Sequence, residues 1–218
     1  MEKSLPFIPA EPVFLHLIVS FLALMAVIID HAEFPRDTQV IHELFLAYAT
    51  SLGIDLTFQS FQTELDSLPG KYAASEGGTL LIARTNGQFE SHPKSEITSS
   101  SSSNVPGFNL TSLDDTSTLA NIALGCVALR RSTDGWCEMK RLYVLPEARG
   151  LQLGDKLVKA ILTQARLLRY RGIRLDTLPN MTTAIRLYRK HGFVETGPYY
   201  ETPLQDTIFL QCEFDRGL

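Results

Sequence analysis

The clearest alternation of apolar and polar positions lies in the second half of the chain. Leu157, Val158, Ile161, Leu162, Ala165 and Leu168 recur at the spacing of a helix that buries one face. Just upstream, Cys137 to Val144 reads as a strand, ended by Pro146. A second strand and helix follow. Ile173 to Thr177 forms the strand, and Ala184 to Phe193 a short helix stopped by Gly192. In the first half, Asp37 to Leu52 predicts a helix with Val40, Ile41, Leu44, Phe45 and Tyr48 on one face and Gly53 as its stop. Phe58 to Leu65 suggests a shorter helix closed by Leu68-Pro69-Gly70, and strands are expected at Thr79 to Arg84 and Ile122 to Arg131.

Between the strand ending at Pro146 and the long helix lies Arg149-Gly150-Leu151-Gln152-Leu153-Gly154. The start of a helix presents backbone N–H groups without partners, and the positive end of the helix dipole adds to their field. Glycines let the backbone approach a ligand closely. The segment is therefore a site for a phosphate or pyrophosphate. No Gly-Lys-Ser/Thr sequence or Gly-x-Gly-x-x-Gly accompanies it, which argues against a Mg-nucleotide or dinucleotide site.

These residues resemble the GNAT superfamily of acetyl-CoA-dependent N-acetyltransferases. The loop from Arg149 to Gly154 matches the family's pyrophosphate loop, with Gln152 in place of the usual middle glycine. Ala184, Leu187, Tyr188, Gly192 and Phe193 match its second signature; Met181 stands where many members carry Asn, with Asn180 one position early. The resemblance covers the chain from about Ala26 onward. It implies an α/β (α+β) fold with a mixed, mostly antiparallel central sheet, flanked by helices and splayed at the cofactor site. It also implies acetyl-CoA as co-substrate, no metal, and direct transfer of the acetyl group to a primary amine of a small molecule or peptide.

On that resemblance, the cofactor would be held by the backbone of Leu142, Tyr143 and Val144 together with Arg149, Gly150, Leu151, Gln152, Leu153 and Gly154. A bulge in the strand would leave N–H groups unpaired for the thioester oxygen and the pantetheine arm. Tyr188 matches the family's proton donor to the leaving thiolate. Glu138, on the strand that carries Leu142, is the candidate base for the amine, with Tyr143, Asp176 and His191 behind it. The early helices would flank the acceptor. The contrasting reading, motivated by Gln152, Met181 and the apolar N-terminus, is a non-catalytic acetyl-CoA-binding protein or membrane-tethered scaffold.

Composition narrows the class further. The chain has 218 residues, 44% of them hydrophobic, enough for one domain with a full core. A net charge of −4 argues against a general nucleic-acid binder. Lys140, Arg141, Arg149, Lys156, Arg166, Arg186 and their neighbours concentrate in the second half. Most of these cations are expected on solvated helix faces, with Arg149 reserved for a phosphate. Cys126, Cys137 and Cys212 are odd in number and lack metal-ligand spacing, as in a reduced intracellular protein.

Two assignments compete for the N-terminus. Pro12 to Ile29 is almost wholly apolar and long enough to span a bilayer, giving a cytoplasmic protein tethered through residues 12–29. Alternatively Ala26 to His31 is the first strand. Residues 1–25 are then an extension, in which Val13 to Met25 lies as a helix on the domain, a membrane surface or a partner, and 26–218 is the acetyltransferase domain. Within it, the Ser-rich stretch at about 96–118 reads as a flexible hairpin insertion.

Overall fold

The computed structural model describes residues 25–54, 56–89 and 120–214. Seven strands form a sheet in the order β1-β2-β3-β4-β5-β7-β6. They are β1 (Met25–His31), β2 (Thr79–Phe89), β3 (Ala120–Arg131), β4 (Trp136–Val144), β5 (Gly172–Thr177), β6 (Val194–Thr196) and β7 (Ile208–Glu213). Among the described residues four α-helices accompany them: α1 (Thr38–Leu52), α2 (Phe61–Asp66), α3 (Leu153–Leu167) and α4 (Thr182–Lys190).

The chain divides into two compact units. The smaller contains, among the described residues, 25–28, 84–89 and 120–122; within it the Ile122 N–H donates to Thr85 Oγ1 at 3.1 Å. The larger, 29–83 and 123–214, holds the helices and the motif residues. Its core joins Ile41, Leu44 and Phe45 of α1 to Leu65, Tyr72, Leu80, Ile82, Cys126, Ala128 and Tyr143. Each fully buried aliphatic or aromatic side chain there contributes about 1.5–3 kcal/mol of transfer free energy. The predicted face of α3 is buried at Leu157, Val158, Ile161, Leu162 and Ala165.

Met25 to Ile29 are strand residues, so this end of the apolar run is not part of a spanning helix. No helix among the described residues is long and apolar enough to cross a membrane. Residues 12–24 and the Ser-rich stretch lie outside the described residues. The helix expected over Phe58 to Leu65 is broken. Thr57–Gln59 is a 3-10 turn, and α2 begins only after Ser60, whose φ of 55° is left-handed and interrupts the α-helical ladder. Strand β2 continues past Arg84 to Phe89 through polar residues, because a ladder is made by the backbone and does not require apolar side chains. β7 has no counterpart among the expected strands; it fills the place between β5 and β6, pairing with β5 from Gly172↔Glu213 to Thr177↔Ile208.

Candidate active site

The site starts from two irregularities in β4. Against β3, Cys126 pairs with Tyr143 but Ala128 pairs with Lys140, so β4 carries one extra residue at this point. Arg141 takes up the excess with φ 57°, a left-handed conformation inside a strand. Gly125 is required beside it: a Cβ there would lie 2.5 Å from the Tyr143 carbonyl oxygen. Against β5, the parallel pairing runs only from Trp136↔Gly172 to Glu138↔Arg174. Among the described residues the β4–β5 ladder does not continue beyond that point, and a wedge opens between the two strands.

On one side of the wedge lies an open groove of about 480 Å³. Leu142, Tyr143, Val144, Arg149, Gly150, Gln152, Leu153 and Gly154 line it, together with Asn180, Met181 and the start of α4 through Ala184 and Leu187. Every residue expected to hold the cofactor is brought together here except Leu151, which is not on the wall. Gln152, at the N-cap of α3, makes no side-chain capping bond. The first-turn N–H groups of the helix therefore remain for a ligand. Gly150 has φ 90°, and nothing lies within 4 Å of where its Cβ would be, so this part of the loop presents bare backbone. Arg149 is exposed at the same mouth. Asp155, in the first turn of α3, is held below the usual carboxylate range, first by the Lys190 hydrogen bond and also by His191, so these residues tie the end of α4 to the loop.

Gln152 has φ 57°, so the substitution for the family's middle glycine stands at a position glycine would adopt freely. Left-handed backbone costs a non-glycine residue about 1–2 kcal/mol, and glycine's extra freedom in the unfolded chain returns roughly half of that. Gln152→Gly is therefore expected to raise the melting temperature by about 1–3 °C in a scanning calorimeter. A lower melting temperature would show that the Gln152 side chain contributes more than its backbone loses.

On the other side is a small polar cavity of about 40 Å³, room for a few water-sized groups. Tyr188 lines it, as do Tyr48, Gln59, Met139, Lys140, Arg141, Leu142, Asp176 and Met181. Tyr48, Leu142 and Met181 also line the groove, so the two spaces meet at the bulge. Tyr188 is 6% exposed, with its ring 5.8 Å from Phe193. Burial, helped by Tyr48 and Asp176, pushes its phenol well above the ordinary value, so it stays protonated.

Glu138 does not line either space. It is 3% exposed and engaged by Arg130 at 2.6 Å, by the Tyr199 hydroxyl at 3.2 Å and by Lys140 at 3.4 Å. Lys140 in turn donates to Asp176 Oδ1 at 2.8 Å. Burial works to raise the Asp176 carboxyl, but the charge and hydrogen bond of Lys140 and a hydrogen bond from Tyr200 hold it below its ordinary range. Thus the carboxylate facing the cavity is Asp176. Tyr143 packs edge-on to Tyr48 at 6.3 Å. His191 bonds to Asp155 at the start of α3, away from both walls.

Lys140 and Arg141 are not on a solvated face; they are 8% and 2% exposed. Arg141 Nε donates to Glu64 Oε1 at 2.8 Å and its terminal nitrogens reach Glu64 Oε2 at 3.1 Å and Gln59 at 3.2 Å. A buried charge needs such partners. The signal was present in the sequence as two consecutive cations inside a strand, although nothing pointed to Glu64. The cysteines are free and buried; burial pushes the Cys126 thiol up to about 12. Among the described residues no group of His, Cys, Asp and Glu could hold a metal ion.

The model of the acetyltransferase (GNAT) domain matches residues 114–195. An uncharacterised N-acetyltransferase of Schizosaccharomyces pombe is 34% identical over 189 residues, covering 86% of this chain and 95% of the relative. The chain belongs to the GNAT family of acetyltransferases. The crystal structure of a GNAT-family acetyltransferase from Staphylococcus aureus Mu50 superposes with a TM-score of 0.60 at 18% identity, covering 86% of this chain and 99% of that one. A putative acetyltransferase from Salmonella typhimurium, solved with its cofactor acetyl-CoA, gives a TM-score of 0.57 at 19% identity over 88% of this chain and 96% of that one. This GNAT chain shares with them the mixed sheet flanked by helices.

Proposed function

We propose that this acetyltransferase moves an acetyl group from acetyl-CoA to a primary amine of a small molecule or peptide, directly within a ternary complex. The observation that carries the reading is the junction of two unlike spaces at one bulge. The groove has an uncapped helix start and bare loop backbone, suited to a pyrophosphate. The cavity has a buried phenol and an ionised carboxylate. The acetyl-CoA bound to the Salmonella relative supports the same choice of donor.

Acetyl-CoA would supply the activated thioester carbonyl. Arg149 and the N–H groups from Gly150 to Gly154 would hold its phosphates, and main-chain groups of Leu142 to Val144 on the side of β4 away from β3 would hold its arm. At the bulge, a β4 N–H would donate to the oxygen as it gains charge. Asp176 would hold the acceptor in the cavity as its neutral amine, the ammonium proton having gone to solvent, and take the proton that the nitrogen sheds once the C–N bond has formed. Tyr188 would then give its phenolic proton to the departing sulfur. Glu138 would act at one remove, by holding Lys140 against Asp176.

The test is turnover of acetyl-CoA with a panel of amines, including polyamines, amino acids and peptide N-termini. With an accepted amine, Asp176→Asn should lower kcat/KM about 100-fold or more and Glu138→Gln less than about tenfold. Because Asp176 is held below its ordinary range, it stays ionised through neutrality. The rise in rate between about pH 6 and 9 should therefore follow the acceptor's ammonium and keep its shape in Asp176→Asn. A Glu138→Gln enzyme whose rising limb is displaced would return the role of base to Glu138.

A further inference from the structure

Arg141 is an arginine in the backbone conformation of a glycine. In a strand, a non-glycine residue at φ 57° is uphill and persists only when its surroundings over-determine it. The surroundings here are specific. The Arg141 guanidinium makes a two-pronged pair with Glu64 of α2, and the side chains are 1% and 2% exposed. It lies 5.5 Å from the Tyr48 ring centre and 5.1 Å from that of Phe61. Glu64 is fixed from behind: the Tyr72 hydroxyl donates to Oε1 at 2.9 Å, and Lys71 lies 3.4 Å from Oε2. Burial works to raise the Glu64 carboxyl, but the hydrogen bonds and charge of Arg141, joined by Lys71 and Tyr72, hold it below its ordinary range, so the pair is ionised.

We propose that Glu64 is a positioning residue, which holds the β4 bulge in its left-handed turn by clasping the Arg141 side chain. Residue 141 immediately precedes Leu142 and Tyr143, so the direction of their N–H groups follows from its φ. The clasp reaches these atoms from α2, a helix that contributes none of the loop residues. Glu64 itself touches neither the groove nor the cavity wall. The consequence for acetyl-CoA rests on the function proposed above. The consequence for the bulge does not.

The experiment compares Arg141→Ala with Arg141→Gly. Both remove the guanidinium, but glycine takes the left-handed turn freely and alanine resists it. Glu64→Gln and the double variant Arg141→Gly with Glu64→Gln complete the set. Two readouts are used: the amide resonances of Leu142 and Tyr143 in the free protein, and acetyl-CoA affinity by calorimetry. Arg141→Ala and Glu64→Gln should displace both resonances and weaken acetyl-CoA binding about tenfold. Arg141→Gly and the double variant should keep near-native resonances and bind within about threefold of the wild type. An Arg141→Ala protein too unstable to measure, beside a folded Arg141→Gly, establishes the left-handed turn, and a Glu64→Gln protein that keeps wild-type resonances and affinity overturns the part given to Glu64. Equal affinities and equal resonances in the alanine and glycine variants would overturn it, whether both match the wild type or both are impaired. If the wild type fails to bind acetyl-CoA, the functional assignment falls, and the resonances alone still decide the clasp.

Discussion

Gly150→Asp is expected to abolish acetyl-CoA binding, raising Kd by about 100-fold or more, while the protein still folds. Two effects act together. The loop there has φ 90°, which a side chain strains, and the new carboxylate would stand where the anion must sit. Folding should survive because nothing occupies the space a Cβ would enter. Gly150→Asn separates the two effects, since it brings nearly the same shape without the charge. It should weaken binding about tenfold, leaving the remaining tenfold or more, about 1.4 kcal/mol, to electrostatic repulsion. Calorimetric titration with acetyl-CoA, alongside circular dichroism of each variant, provides the check. A folded Gly150→Asp protein with wild-type affinity would remove the loop from the binding site.

Tyr188→Phe should lower kcat by about 100-fold with little change in acetyl-CoA affinity, as when a proton donor is lost but its ring is kept. The ring remains packed near Phe193, and the substitution removes only the hydroxyl of a side chain that lines the cavity. Burial raises the Tyr188 phenol, so the wild-type group stays neutral and able to donate across the neutral range. Steady-state rates with an accepted amine, paired with acetyl-CoA titrations, distinguish this from a packing defect. Equal losses in affinity and turnover would make Tyr188 a wall residue and leave the thiolate to be protonated by solvent.

How much of this was legible in the sequence follows from the range of each interaction. The faces of α1 and α3 are local patterns, so the burial of Ile41, Leu44, Phe45, Leu157 and Ile161 follows from their spacing alone. The groove was largely legible because most of its residues lie in two short runs, Leu142 to Gly154 and Asn180 to Leu187, while Tyr48 and Ser51 reach it from α1. The chemistry of the cavity was less so. Glu138 and Asp176 are both carboxylates on strands, and only the separation of β4 from β5 decides which one faces the opening. Glu64 and Arg141 are 77 residues apart, with no periodicity linking them. Ser60 and β7 escaped for a similar reason. A left-handed break and a strand inserted between two others are imposed by tertiary pairing and leave little trace in propensity.

The parting of β4 from β5 gives this sheet an edge in its interior. Edges normally attract stray strands from other molecules, and proteins shield them. This one lies between walls of the same chain, where an amide-bearing ligand can join the sheet as a short extra strand. Such a ligand is read by main chain, which every residue type supplies. A cavity side chain outside the Arg141 clasp and the Lys140–Asp176 pair, such as Met139, could therefore be exchanged to suit a new acceptor while that main-chain grip stays the same. On the proposed function the donor would be held mainly by backbone, with Arg149 the side-chain exception, and acceptor choice would be left to substitution.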